Sequence, residues 1–197
     1  MNKLRVVLWC LVALAAIAAG LLLVMQRGNR PNNVQTVQET IGGPFTLTGG
    51  DGKPFSSASL AGKPFAIFFG FTRCPDTCPT TLARLTRLRK ELPQGDSSLA
   101  IVFVTVDPER DTAAEVGRYS ELFASPVIGL TGTPAAIEQV KKEFSVYSKK
   151  VPTSGGDYTV DHTATVFLMD SQGRFVTSIS PDESDQVALK TLRRVLD

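Results

Sequence analysis

A short apolar segment that runs through two cysteines directly into a helical pattern constrains this chain more than any other feature. Residues 66–71 have the length and the apolar character of a strand buried within a sheet, and leucines recur at a helical period over 80–92. Cys74 and Cys78 lie between the two, at a predicted strand-to-helix turn. The unpaired N–H groups and the positive dipole end of a helix face such a turn, which favours thiolate and lowers a cysteine pKa. The segment therefore predicts an active site.

The other predicted elements alternate between strand and helix and then change to a hairpin and a last helix. They are a hairpin over 45–55, a strand over 99–106, a helix capped by Thr112, a strand over 127–130, a helix capped by Thr133, a strand over 146–151, a hairpin over 163–179 and a helix that is capped by Ser180 and ends at about Leu196. The alternation predicts a mainly parallel sheet with helices on both faces. A β-α-β-α unit followed by a hairpin and a closing helix is the thioredoxin arrangement, so we expect an α/β, thioredoxin-like fold.

The beginning of the chain has a different character. Residues 6–25 are 20 consecutive residues without a charge, and at about 1.5 Å of rise per residue they would span roughly 30 Å, the hydrocarbon thickness of a bilayer. A cleaved signal peptide is the alternative, but its apolar region is normally only about 7–15 residues long. We therefore predict one transmembrane helix in an anchor over 1–28, a flexible tether over 29–40 and a folded domain over 41–197.

Charges near the apolar run predict its orientation. Lys3, Arg5 and the amino terminus precede the run, whereas Arg27 and Arg30 follow it. The slight excess in front favours a domain outside the cytoplasm. Because the Ser- and Arg-rich leader of a mitochondrial import signal is missing, we expect a single-pass protein of the bacterial inner membrane with its domain in the periplasm. Residues 31–197 contain 17 Lys and Arg against 19 Asp and Glu, so nucleic-acid binding has no electrostatic support.

Three residues separate the two cysteines, and the pair has three interpretations. A structural disulfide would close only a very short loop and would stabilise the fold little through chain entropy. Thiol–disulfide exchange is the second interpretation, although thioredoxin-type enzymes use two intervening residues. Metal binding is the third, because thiolates are soft metal ligands.

His162 is the single histidine of the chain and makes the metal hypothesis specific. It directly precedes the strand predicted over 163–169, and in a thioredoxin-like sheet the chain that enters this strand passes close to the cysteine turn. Two thiolates and one imidazole suit copper, since sulfur holds Cu(I) and the imidazole accommodates Cu(II). A structural zinc site would want four protein ligands, and the domain has neither a third cysteine nor a second histidine. Copper binding by Cys74, Cys78 and His162 and redox exchange by the cysteines alone are both open at this point.

Five stretches of the domain form a recognisable pattern. They are Ile41–Leu47, Phe69–Thr80, Val104–Thr112, Gly129–Gly132 and Gly155–His162. The second contains Cys-Pro-x-x-Cys-Pro and the last ends in Asp-His, which together are a specific signature. In these stretches the chain resembles the Sco/SenC family of copper chaperones for cytochrome oxidase assembly.

The resemblance implies a thioredoxin-like fold with an added β-hairpin and a copper site formed by Cys74, Cys78 and His162. Members of the family deliver copper to the binuclear copper site of cytochrome c oxidase subunit II, or keep the cysteines of that site reduced. We therefore expect subunit II and a copper donor protein as partners. A thiol–disulfide oxidoreductase that uses the same cysteines without transferring copper is the alternative.

Four charged residues near the predicted site have more than one interpretation. Arg73 stands where several family members have His or Tyr, and its charge would favour thiolates. Asp76 is either a turn residue or a contact for a partner or for a water near the metal ligands. Asp161 could orient His162 through the second ring nitrogen. Asp107 ends a strand at the same edge of the sheet, either at the rim of the site or in an Asp-Pro turn.

Overall fold

The computed structural model describes residues 41–196 together with Arg5, Trp9, Leu14 and Leu21. The predicted anchor and tether, including Cys10, otherwise lie outside the described residues. Within the part that is described, none of the helices has the length and hydropathy needed to cross a membrane. The chain divides into two compact units, Met1–Glu39 and Thr40–Asp197. All of the elements below belong to the second unit.

The second unit contains nine strands, four α-helices and two short 3-10 helices among its described residues. In chain order the longer elements are β1 (Thr46–Gly49), β2 (Pro54–Ser56), β3 (Phe65–Gly70), α1 (Thr77–Lys90), β4 (Ala100–Thr105), α2 (Ala113–Glu121), β5 (Ile128–Thr131), α3 (Pro134–Glu143), β6 (Ser148–Pro152), β7 (Tyr158–His162), β8 (Val166–Met169), β9 (Phe175–Ile179) and α4 (Asp185–Arg193). The 3-10 helices are Ser57–Leu60 and Gly95–Ser97. This order agrees with the α/β prediction.

Seven strands form one sheet in the order β2-β1-β5-β4-β3-β8-β9. Only the central strands β3, β4 and β5 are parallel neighbours, whereas every other pair in this sheet is antiparallel. The expectation of a mainly parallel sheet is therefore wrong. Hairpins supply both ends of the sheet, and a strand that returns through a short turn must run antiparallel.

Strands β3 and β4 form the centre of the core. Both strands are buried along their whole length, because the sheet is covered on its two faces. Phe69 of β3 packs with Phe144 and Phe167 in an aromatic cluster with ring centroids 5.3–6.2 Å apart. The core therefore fixes the end of β3, which leads directly into the cysteines.

Side-chain caps determine where α2, α3 and α4 begin. Thr112 and Thr133 accept hydrogen bonds from the backbone N–H groups three residues on, as predicted. The prediction that Ser180 caps the last helix is wrong, since Ser184 is the cap. Arg84 on α1 donates hydrogen bonds to the Glu183 carbonyl and to the Asp185 carboxylate, and these contacts hold the start of α4 at this position.

Strands β6 and β7 form a separate two-stranded sheet with Ser148 opposite His162 and Pro152 opposite Tyr158. The sequence indicated a strand near β6 but not β7, which contains only one fully buried residue, Val160. This hairpin is added to the seven-stranded sheet and makes no ladder with it. Its last residue is His162, so its position decides where the imidazole lies.

Replacing Gly129 with alanine should destabilise the fold. The new Cβ would lie 2.6 Å from the Val116 carbonyl oxygen and closer still to the Ser120 hydroxyl, so α2 would have to move away from β5. We expect a loss of about 1–3 kcal/mol in the free energy of unfolding, measured by urea denaturation. Gly43→Ala is the control, because its Cβ would meet only the flexible Glu143 side chain at 3.3 Å. Equal stability of both variants would contradict this packing.

Candidate metal centre

The loop between β3 and α1 presents both cysteines. Cys74 lies in the loop, where its backbone N–H donates to the Phe71 carbonyl at 3.2 Å and closes a tight turn. Cys78 lies in the first turn of α1, since the helix begins at Thr77 rather than at the predicted residue 80. The Cys74 side chain is partly exposed, whereas that of Cys78 is fully buried. The two thiols therefore have different environments although they are close in sequence.

The sulfur of Cys74 takes the place of a helix cap. Asp76 stands at the N-cap position but makes no side-chain capping bond, and the backbone N–H of Cys78 donates instead to the Cys74 Sγ at 3.3 Å. The pKa of Cys74 falls to about 4, because hydrogen bonds from the Cys78 thiol and from the backbone N–H groups of Cys78 and Asp76 stabilise its thiolate against the cost of burial. Cys74 is therefore the thiolate of the pair.

Cys78 behaves in the opposite way. Its pKa is raised above the ordinary range, first because its thiol donates to the Cys74 sulfur and second because burial disfavours the charged form. The prediction that a helix N-terminus lowers a cysteine pKa thus applies to Cys74 and not to Cys78. In the metal-free protein the pair shares one proton, with the charge on the exposed sulfur.

His162 completes a group of three donors. Its Nε2 lies 3.4 Å from the Cys78 Sγ, and its Nδ1 lies 3.0 Å from the Thr163 carbonyl oxygen. A carbonyl oxygen can only accept a hydrogen bond, so Nδ1 carries the proton and the lone pair of Nε2 faces the sulfur. The edges of Phe68 and Phe71 pack against the ring at centroid distances of 6.0 and 5.8 Å. The imidazole is held with its free nitrogen toward the cysteines.

The donor atoms of Cys74, Cys78 and His162 all lie within 4.8 Å of one another. A cleft of about 260 Å³ opens onto Cys74 and His162, and Asp76 and Asp161 lie along it. Two sulfurs and one imidazole nitrogen form a soft three-donor set that can hold a thiophilic metal ion. Among the described residues, this cluster offers no fourth cysteine, histidine or carboxylate ligand of the kind that structural zinc requires.

The remaining predicted residues have other roles. Asp161 does not orient His162, because the Thr163 carbonyl accepts the Nδ1 proton. Asp107 is buried, and its carboxylate contacts Arg110 and Tyr158 rather than the rim of the cleft. Asp76 accepts a hydrogen bond from the Thr80 hydroxyl, which agrees with a turn residue. The Arg73 side chain is exposed.

Sequence reasoning missed two residues that shape the site. A Cβ at Gly70 would lie 2.7 Å from the Cys78 Sγ, so only glycine lets β3 approach the buried sulfur. Asp111 is buried and accepts hydrogen bonds from the Thr72 N–H at 2.9 Å and from the hydroxyls of Thr72 and Thr105 at 2.6 Å each. Two sequence signals could have identified these residues. Gly70 stands at the end of an apolar strand, and Asp111 lies within the stretch Val104–Thr112 of the family pattern.

Alkylation of Cys74 should depend on pH in a way that an ordinary thiol does not. Its thiolate exists above its pKa of about 4, so the rate should be almost constant from about pH 8 to pH 5 and fall only below that range. Mass spectrometry of the Cys74 peptide after brief iodoacetamide treatment measures this rate. The urea-denatured chain is the control, with an inflexion near the ordinary value of about 8.5. An inflexion above about pH 7 in the folded protein would contradict the assignment.

Known proteins share both the sequence pattern and the fold. The SCO1/SenC family profile matches residues 33–197. Protein SCO1 homolog 1, mitochondrial, from Arabidopsis thaliana is 40% identical over 137 residues, which is 69% of this chain but 41% of that protein. The chain thus spans less than half the length of this curated relative.

Solved structures give the same result. The structure of Bradyrhizobium japonicum ScoI with copper bound superposes with a TM-score of 0.71 at 44% identity, and the match covers 79% of this chain and 99% of ScoI. A second structure is that of BsSco, a member of the Sco family of cytochrome c oxidase assembly proteins, for which a disulfide switch is described. It is 24% identical with a TM-score of 0.61, and the match covers 80% of this chain and 94% of BsSco. At this identity the likeness shows the fold alone. The family profile covers most of the chain, and the chain belongs to the SCO1/SenC family.

Proposed function

We propose that this protein binds copper as cargo through Cys74, Cys78 and His162 and serves as a metallochaperone. The observation that carries the proposal is the convergence of two sulfurs and one free imidazole nitrogen within 4.8 Å. The thiolates suit Cu(I), and the imidazole extends the site to Cu(II). The copper-bound structure of the related ScoI supports the same choice of metal.

The arrangement of the donors suits a cargo that must be released. Cys74 lines the cleft, whereas Cys78 is fully buried and does not line it. An incoming ligand from a partner can therefore reach the metal from the Cys74 side while Cys78 and His162 still hold it. Three protein donors leave the coordination open to such a ligand, as a closed site with four donors would not.

The destination of the copper is proposed from the family. Membership in the SCO1/SenC family, whose members assemble cytochrome c oxidase, supports a role in building that enzyme. We take the binuclear copper site of cytochrome c oxidase subunit II as the recipient and a separate copper protein as the donor. The anchor over 1–28 and the tether over 29–40 would hold the domain over 41–197 at the periplasmic face of a bacterial inner membrane.

A thiol–disulfide oxidoreductase is the second candidate, and the asymmetry of the pair favours it. The Cys74 thiolate would attack a partner disulfide and form a mixed disulfide, and the partner's first sulfur would leave as a thiolate. Cys78 would lose its proton, attack Cys74 and release the second partner sulfur, so that two electrons pass to the partner and Cys74 and Cys78 become a disulfide. This chemistry needs an exposed thiolate of low pKa beside a protected thiol, as found here.

Replacing His162 with alanine separates the two candidates. The full chain in detergent, reduced and titrated anaerobically with Cu(I), should bind one ion per wild-type domain, and the variant should bind it at least about tenfold more weakly because it loses one of three donors. Competition with a chelator of known affinity measures this change. Asp161→Ala is the control, since its carboxylate lies in the cleft but does not hold the imidazole.

Other outcomes would change the conclusion. Unchanged copper affinity in His162→Ala would remove His162 from the site. If the wild type bound no copper tightly but exchanged a Cys74–Cys78 disulfide rapidly with small thiols, the oxidoreductase would replace the metallochaperone.

A further inference from the structure

The position of the hairpin of β6 and β7 needs an explanation, because this hairpin carries His162 but forms no hydrogen-bonded ladder with the seven-stranded sheet. At the end near the imidazole, Thr163 and Tyr147 exchange hydrogen bonds that close the hairpin onto itself. Backbone pairing within the hairpin therefore cannot fix its distance from the cysteines. Apart from the short connection from His162 to β8, side-chain contacts must do so.

The opposite end of β7 is fastened to the turn Asp107–Asp111, which follows β4. The Tyr158 hydroxyl donates to the Asp107 carboxylate at 2.9 Å, and this carboxylate is 1% exposed. Arg110 donates from Nη1 to the Tyr158 carbonyl at 2.9 Å and to the Asp157 carboxylate at 3.0 Å, and from Nε to Asp107 at 2.5 Å. Its guanidinium also stacks on the Tyr158 ring, 3.6 Å from the centroid.

A second cation supports the same tyrosine. Lys150 on β6 lies 4.8 Å from the centroid of the Tyr158 ring and pairs with Glu109 of the turn at 2.6 Å. Both strands of the hairpin are thus tied to the same turn. The Lys150 pair is solvent-exposed and contributes little, whereas the pair of Asp107 and Arg110 is largely shielded from water.

The same turn also holds the cysteine side of the site. Asp111, its last residue, binds both the N–H and the hydroxyl of Thr72, two residues before Cys74. Its backbone N–H donates to the Asp107 carbonyl at 2.9 Å, so the two ends of the turn are joined. One rigid turn therefore contacts both the loop that carries the cysteines and the hairpin that carries the histidine.

We propose that the turn Asp107–Asp111 sets the separation between His162 and the two cysteines, with Arg110 and Tyr158 as positioning residues for the imidazole. This inference rests on the proposed function, because the separation matters only for a ligand held by all three residues. Asp111 fixes one part of the site, and Asp107, through Tyr158 and Arg110, fixes the other. Loosening the second contact should free the hairpin while leaving the cysteines in place.

The first test is a double-mutant cycle between Tyr158→Phe and His162→Ala. Tyr158→Phe removes only the hydroxyl bond to Asp107 and keeps the ring under Arg110. Loss of an outer contact of this kind commonly weakens metal binding by about tenfold or more. We expect the full chain in detergent to lose Cu(I) affinity several-fold in Tyr158→Phe, measured by anaerobic chelator competition, with no further loss when the change is added to His162→Ala.

Matched variants complete the test. Tyr147→Phe is the control, because this tyrosine precedes the same hairpin and is exposed, and it should retain wild-type affinity. Arg110→Gln should lower the affinity more than Tyr158→Phe, since it removes the bridge to the Tyr158 carbonyl and the charge facing Asp107. If Arg110→Gln does not fold, Tyr158→Phe alone tests the positioning role. Equal losses from Tyr158→Phe with and without His162 would overturn the proposal, because the change would then act on the whole fold.

The metal-free protein gives an independent measurement. His162 is the only histidine, so its ring protons give signals that are assigned without ambiguity in protein labelled at histidine. In the wild type these protons should show nuclear Overhauser effects to Phe68 and Phe71, whose rings pack against the imidazole. The effects should weaken in Tyr158→Phe and persist in Tyr147→Phe.

The two measurements distinguish the failure of either proposal. If wild-type copper binding proved independent of His162 while Tyr158→Phe still displaced the ring, the proposed function would fail and the positioning role would stand. If His162 bound copper but Tyr158→Phe changed neither affinity nor ring contacts, the positioning role would be overturned and the function retained.

Discussion

The close contact between the end of β3 and the first turn of α1 is the constraint on which the site depends. Gly70 has no side chain, so the buried sulfur of Cys78 can lie against the strand, and the helix begins at Thr77. This contact removes Cys78 from solvent and leaves Cys74 at the surface as the acceptor of a helix N–H. The opposite pKa shifts of the two thiols follow from that single arrangement.

The difference between the exposed Cys74 thiolate and the buried Cys78 thiol suits both candidate functions. A metal carrier needs one donor that a partner can reach and others that keep hold of the ion, and an oxidoreductase needs one exposed thiolate with a protected thiol behind it. The cysteines alone do not distinguish these activities. The imidazole does, because its free Nε2 faces the sulfurs and adds a donor that thiol exchange does not require. The position of β7 is therefore central to the choice between the two functions.

Two buried carboxylates of this domain lie in a turn that joins loops. Asp107 and Asp111 are both nearly inaccessible to water, and each has several hydrogen-bond donors directed at its carboxylate. A buried carboxylate without such partners would be strongly unfavourable, so the contacts can exist only in one geometry. The turn between β4 and α2 thereby holds two loops that the sheet itself does not connect.

The sequence alone determined the order of the strands and helices other than β7, the caps at Thr112 and Thr133, the family and the three residues that meet at the site. These features follow from local periodicity, from short-range hydrogen bonding and from a pattern of residues with fixed spacing. Only the tertiary structure decided the start of α4, the mixed direction of the sheet, the strand β7 and the different states of Cys74 and Cys78. Those features depend on contacts between residues far apart in the chain, such as Arg84 with Asp185, Tyr158 with Asp107 and Cys78 with His162. A local sequence pattern cannot predict such contacts, because each of these residues, taken alone, would also be compatible with a loop or an exposed surface.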